Sequence, residues 1–253
     1  MKKIISLVLA LALCIFVFAA CSEEKTDSKV LTMATNAEFP PYEFYEGEKV
    51  VGIDAEIAGV IAEKLGMELE IVDTAFDSII PAIVAGKYDM GMAGMTVTDE
   101  RLEEVNFSDS YATGVQVVIV NKDSEIKTVD DLFGDKNYTI GVQTGTTGDL
   151  YSTWDIEDEG LGKVSRFNKG ADAVEALKIG KVDCVIIDNE PAKAFVAESD
   201  NLVILDTAYA EEQYAIAVAK DNTELLDSIN KALSELTEDG TLQKIVDKYI
   251  SAK

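Results

Sequence analysis

Apolar and polar positions follow two rhythms along this chain, and the rhythm switches repeatedly. Val30 to Ala34 reads as a short strand. Ile53, Ile57, Val60, Ile61 and Leu65 then fall at helical spacing, with Gly66 where a helix ends. Met67 to Ile71 alternates as a strand does. Ser78 to Ala85, with Pro81 in its first turn and Gly86 behind it, predicts a second helix, and Asp89 to Ala93 a strand of small residues. Strand, helix, strand, helix, strand is the order of a parallel sheet covered by helices.

A second set of the same kind follows. Gly114 to Val120 predicts a long apolar strand. Thr128 to Asp131 has the look of a capped helix start. Tyr138 to Val142 predicts a strand, Gly145-Thr146-Thr147-Gly148 opens a helix, and Ala171 to Ile179 predicts another, closed by Gly180. Val182 to Ile187 reads as a buried strand, and Asn189-Glu190-Pro191 as a helix start with proline at the first helical position. Gln213 to Ala219 predicts one late strand that rejoins the first set, and two helices, split at Asp239-Gly240, end the chain. The expectation is an α/β protein of two lobes, each a mostly parallel sheet flanked by helices, joined by two hinge crossings near residues 109–117 and 207–214. Lobe 1 takes residues 30–112 and 212–253, and lobe 2 residues 113–211. A ligand would sit where strand ends of both lobes meet.

The first 29 residues do not belong to that pattern. Lys2 and Lys3 precede an apolar run from Ile4 to Ala20, broken by Ser6, as in a secretory signal. Phe18-Ala19-Ala20-Cys21, followed by the polar stretch Ser22 to Lys29, resembles a bacterial lipoprotein cleavage site, although Phe18 replaces the usual Leu, Val or Ile. The expectation is a signal peptide over 1–20, a lipid-bearing, palmitate-type Cys21, and a tether over 21–29. That places the protein at the outer face of a bacterial membrane. Removal of 1–20 leaves 20 basic against 47 acidic residues, a charge of −27. Nucleic acid binding, which runs on clustered Lys and Arg, is excluded as a partner class. The absence of His removes Ser-His-Asp chemistry and His-ligated metals, and no cofactor is expected. Cys184 stands alone in the folded part and reads as a buried small residue.

Four segments at predicted strand ends carry candidate chemistry. Asn36 to Phe44 is rich in aromatics and proline, and its rings either wall a pocket or fill the core beneath a loop. In Ala93 to Arg101, Gly94 permits close backbone approach, Thr96 offers a hydroxyl, and Arg101 a planar fork for a carboxylate, or else a surface ion pair with Glu103 or Glu104. Gln143 to Gly148 suits an anion at a helix start or is an ordinary cap. Asp188 either holds an ammonium or caps the helix near Pro191. Taken together, an Arg fork, a hydroxyl and a carboxylate, with Phe39 and Phe76 as flanking rings, meet the needs of a free amino acid.

At these residues the chain resembles the family 3 extracellular solute-binding proteins, the polar amino acid receptors of ABC importers. Gly52-Ile53-Asp54-Ala55-Glu56-Ile57 with Ile61-Ala62, the segment Ala93 to Arg101, and Glu212 to Ala217 carry the resemblance, which runs from about Val30 to Lys253; Ala55 departs from the bulkier residue usual there. The resemblance implies that Arg101, Thr96 and Thr147 hold an α-carboxylate, and Gly94, Thr96 and Asp188 an α-ammonium. Phe39 and Phe76 would sandwich the side chain, with Asn36 and Gln143 at its far end. It also implies a monomeric, non-enzymatic receptor that closes around a polar or basic L-amino acid and docks on a membrane permease served by an ATPase. Two other readings use the same fold: an exported cyclohexadienyl or arogenate dehydratase, for which Glu38, Glu190 or Asp188 would supply the acid, and a ligand-sensing partner of a receptor.

Overall fold

The computed structural model describes residues 29–250. The expected signal peptide, Cys21 and all of the expected tether but Lys29 lie outside the described residues. Two sheets dominate. The first has the order Glu68–Asp73, Val30–Thr35, Met90–Gly91, Ala217–Ala219, Val105–Phe107. Val30–Thr35 runs parallel to both of its neighbours, and Ala217–Ala219 antiparallel to both of its own. The second has the order Lys163–Phe167, Thr139–Gln143, Cys184–Asp188, Ala112–Asn121, Leu202–Ile204, with Ala210–Tyr214 paired to the other half of Ala112–Asn121. Lys163–Phe167, Thr139–Gln143 and Cys184–Asp188 are mutually parallel, and Ala112–Asn121 opposes its neighbours.

Helix Ile53–Leu65 forms as its spacing predicts. Ile53, Ile57, Ala58, Ile61 and Ala62 are buried, and Gly66 ends the helix in the left-handed conformation. This face packs with Leu31, Met33, Met90 and Met92 of the first sheet and with Ile229, Leu233 and Leu236 of helix Thr223–Glu238. The second sheet buries one face against helices Gly170–Lys178 and Asn189–Ala197, and the other around Ile126, Leu132 and Ile156. Cys184 is a free, fully buried member of that core, and burial pushes its thiol well above the ordinary range.

Several boundaries differ from the sequence expectation. Gln213–Ala219 is not one strand: Ala210–Tyr214 pairs in the second sheet and Ala217–Ala219 in the first, with Ala215 and Ile216 between them. A single strand cannot follow two sheets of different orientation, so the ladder breaks where the chain changes partner. Pro191 is the third residue of helix Asn189–Ala197 rather than the first. The strand expected over 89–93 is only Met90–Gly91, and residues 38–51 form a small antiparallel sheet, Glu38–Phe39, Glu43–Glu46 and Lys49–Val51. The helix opening at Gly145 is Thr147–Ser152, continued by a π-helical turn, Thr153–Glu157.

Candidate functional site

A cavity lies between the two sheets, and all nine residues expected at a ligand site line it: Asn36, Phe39, Phe76, Gly94, Thr96, Arg101, Gln143, Thr147 and Asp188. Glu43, Ala93 and Thr146 complete the wall. The nine come from five separate stretches of chain, each at the end of a strand or the start of a helix.

Arg101 sits in the short helix Asp99–Glu104, whose start is capped by the Thr98 hydroxyl accepting from the Arg101 N–H at 3.2 Å. The side chain is 6 % exposed and makes no ion pair with Glu103 or Glu104. Its Nη1 donates to the Thr96 carbonyl at 2.7 Å and its Nη2 to the Gly145 carbonyl, across the cleft, at 3.0 Å. The guanidinium lies over the Phe76 ring, 5.4 Å from the centroid. Two carbonyls use only part of a fork that carries five donor hydrogens. Burial lowers the guanidinium pKa, although the Glu212 and Asp188 charges oppose that. An anion placed against this fork would relieve the desolvation directly.

Asp188 takes the N-cap position of helix Asn189–Ala197 yet makes no capping bond. Its carboxyl turns into the cleft, where it accepts from Gln116 Nε2 at 2.7 Å and from the Tyr214 hydroxyl. Burial, and then the neighbouring Glu212 charge, push this carboxyl well above the usual range. Thr147 is buried, and its hydroxyl accepts from Gln116 at 3.3 Å.

Gly94 has φ +52, and a Cβ there would come within 2.7 Å of the Phe39 ring. Glycine is therefore required twice, by the left-handed backbone and by the ring. The Gly94 N–H donates to Asp54 Oδ2 at 2.8 Å, and the Tyr111 hydroxyl to the same oxygen at 2.9 Å. Asp54 opens helix Ile53–Leu65, and burial raises its carboxyl to about 6. Glu43, also fully buried, is raised well above its usual range by burial and then by Asp54. Both Glu43 carboxyl oxygens and Asp54 Oδ1 lack other partners, so one proton held between the two acids satisfies them together.

The other end of the cavity is neutral. Asn36 Nδ2 donates to the Thr74 carbonyl at 3.0 Å, and Gln143 Nε2 reaches across the cleft to Asn36 Oδ1 at 2.9 Å. Beside them Lys169 pairs with Glu38 across the same gap. Glu38 and Glu190 are both engaged in exposed ion pairs, Glu190 with Lys193, so neither stands free as an acid aimed into the cavity. Among the described residues no group of three or more His, Cys, Asp or Glu is placed to hold a metal ion.

Gln116, Tyr214, Glu212, Asp54 and Glu43 belong to this site or its support and were not singled out for it. One of them left a legible trace: Gln116 is the polar interruption of an otherwise apolar strand. Glu212 and Asp54 lie in family-like segments, but nothing in their own spacing says that they are buried.

The family model of bacterial extracellular solute-binding proteins, family 3, matches residues 31–252. The arginine-binding extracellular protein ArtP of Bacillus subtilis (strain 168) is 36 % identical over 255 residues, covering 98 % of each chain. A crystal structure of the substrate-binding protein of an amino acid ABC transporter superposes with TM-score 0.81 at 40 % identity, covering 88 % of this chain and 100 % of the other. Structures of an ancestral arginine-binding protein bound to arginine and bound to glutamine give TM-scores of 0.81 and 0.80, each at 40 % identity, covering 88 % of this chain and 98 % of theirs.

Proposed function

This chain belongs to the bacterial extracellular solute-binding proteins, family 3, and on that premise we propose that it captures a free polar or basic L-amino acid, arginine first among the candidates, and delivers it to an ABC permease. The observation that carries the reading is a buried guanidinium with unused donors and a buried carboxyl facing one cavity between two lobes. A guanidinium and a carboxyl on one cavity suit a zwitterion.

In this reading Arg101, Thr96 and Thr147 take the α-carboxylate, and Asp188, Gly94 and Thr96 the α-ammonium. Phe39 and Phe76 enclose the side chain, and Asn36 and Gln143 meet its polar end. Lobe 1 comprises residues 30–112 and 212–253 and lobe 2 residues 113–211, with strand Ala210–Tyr214 shared at the hinge. The contacts Arg101 to Gly145 and Gln143 to Asn36 already cross the cleft. A ligand that touches both lobes favours this closed arrangement over an open one. Closure also excludes water, which strengthens each charged contact.

The relatives are binding proteins by name, and a receptor that releases its ligand unchanged, rather than an enzyme, fits the ion-paired Glu38 and Glu190. Arginine is favoured by the relatives bound to arginine; glutamine is the second candidate because Asn36 and Gln143 are neutral and a relative is bound to glutamine. A lipid on Cys21 would tether the monomer outside the cell membrane, within reach of the permease and its ATPase. Calorimetric titration of ligand-stripped protein with the proteinogenic amino acids, cystine and ornithine tests the reading. Tight binding of arginine or of another polar member supports it; silence across the panel from folded protein overturns it.

A further inference from the structure

The acids at the charged end of the cavity come from different strands. Asp188 ends Cys184–Asp188, whereas Glu212 sits in Ala210–Tyr214, one of the two segments that cross between lobes. Gln116, on the other crossing strand, donates from one amide nitrogen to both, at 2.7 Å to Asp188 Oδ2 and 3.0 Å to Glu212 Oε2. The Thr96 hydroxyl donates to the same Glu212 oxygen at 3.1 Å. Its hydrogen is thereby committed to Glu212, and its lone pairs are left for a donor in the cavity. Reversing the Gln116 amide would set its oxygen against the Glu212 oxygen, so Glu212 fixes its orientation. Glu212 is 4 % exposed, and its Oε1 has no partner. Nothing in the ligand set described above uses it.

We propose that Glu212 is a positioning residue for the ligand's α-ammonium: a second carboxylate, carried by the hinge, that orders Thr96 and Gln116 around Asp188 and makes that subsite demand a positive charge. The inference rests on the amino acid reading and deepens it.

The charge balance has a measurable consequence. Two buried carboxyl groups converge on one amide nitrogen, and burial and then the Glu212 charge push Asp188 well above the usual carboxylate range. The charged and titratable groups facing Asp188 are Glu212, Arg101, Tyr214, Tyr151, Tyr42 and Glu43, and of these only Arg101 is a cation. The empty cleft therefore retains a proton on Asp188. An arriving –NH3+ supplies the positive charge, the O–H bond of the Asp188 carboxyl breaks, and its proton leaves to solvent. The sign follows: binding releases a proton, so affinity weakens as pH falls. It strengthens with rising pH by at most about tenfold per unit, until Asp188 is ionised in the empty cleft too.

The test is calorimetry of the wild type and Glu212→Gln at pH 7, in two buffers of different ionisation enthalpy. The probes are L-arginine and L-glutamine, with 5-guanidinopentanoate and 4-carbamoylbutanoate as the same ligands without the α-ammonium. Expected are proton release by the wild type, reduced release by Glu212→Gln, and about a tenfold or greater loss of affinity for the amino acids. The variant's affinity for the two analogues should change far less. Equal affinity and equal proton release in wild type and variant overturn the inference while leaving the receptor reading intact. The wild type alone gives a second check, since a flat affinity profile from pH 5 to 8 with no proton release overturns the inference even if the variant fails to fold. Wild-type protein that binds no amino acid of the wider panel overturns the receptor reading, and this inference with it.

Discussion

At the Arg101–Asp188 end of the cavity the charged residues Arg101, Asp188 and Glu212 expose 6 %, 8 % and 4 % of their surface. At the Asn36–Gln143 end the groups are neutral amides, and the neighbouring charged pair, Lys169 and Glu38, leaves 54 % and 30 % of its side chains in water. The first end is held by both crossing strands, through Gln116 and Glu212. The second is held by loops after strands Val30–Thr35 and Thr139–Gln143. A group common to every amino acid can be met by buried, inflexible charge, because its geometry never varies. A side chain that differs between ligands is met by neutral, partly wet groups whose replacement costs little. In the reading proposed above, recognition and selectivity are thus separated along one cleft.

The largest test of that separation is Arg101→Ala. Loss of a charge-assisted contact of about 1.5–3 kcal/mol predicts at least a tenfold, and up to about a 150-fold, fall in affinity for every ligand that binds. Titration with two different amino acids checks it; a loss confined to one of them would break the comparison.

The acidic floor under the same end should appear in stability. Glu43 and Asp54 hold protons more tightly in the folded protein than in the unfolded chain, Asp54 titrating at about 6. The penalty is absent below about pH 4 and grows as pH rises, for Asp54 through about 6, so the contribution of these acids to stability falls as pH rises. The melting temperature should be roughly 2–8 °C higher near pH 5 than near pH 7.5. Glu43→Gln should flatten that slope and raise stability at neutral pH, and melting curves of a variant that still track the wild type would contradict the account.

Asn36→Asp should sharpen the comparison from the other side. An acid there would change the ratio of arginine to glutamine affinity by about tenfold toward arginine, with a charge-assisted hydrogen bond as the source. Competition titration reads the ratio directly. The smallest effect belongs to Lys169→Met, because an exposed ion pair contributes little and is screened by salt. Affinity should fall by less than about threefold, and the difference should vanish at high ionic strength.

Much of the fold was legible because its signals are local. The spacing Ile53, Ile57, Ile61 with Gly66 behind it is a helix and its stop, and the observed helix ends at Leu65. Thr128 with Asp131 makes the capping box that their spacing predicts, although the helix it opens is a short 3-10 turn. The nine residues that line the cavity were legible for a different reason. Most lie in segments that follow predicted strands, and the full set, with the places of Asn36, Phe76 and Gln143 in it, is legible only through the family resemblance.

What the sequence determined by itself was the periodic framework, the acidic balance, the absence of His, and the identity of side chains at the strand ends. Those are properties of short windows or of sums. What only the tertiary structure decided was which of the 47 acids leave water. Glu43, Asp54 and Glu212 are spread along the chain from position 43 to 212 and look no different there from the acids on the surface; Asp188 alone is marked, by the apolar strand that it ends. Burial is set by which faces of two sheets meet. The cost of burying a carboxylate, met here by Gln116, Thr96, Tyr111, Tyr214 and the Gly94 N–H, exists only once those distant partners are in place.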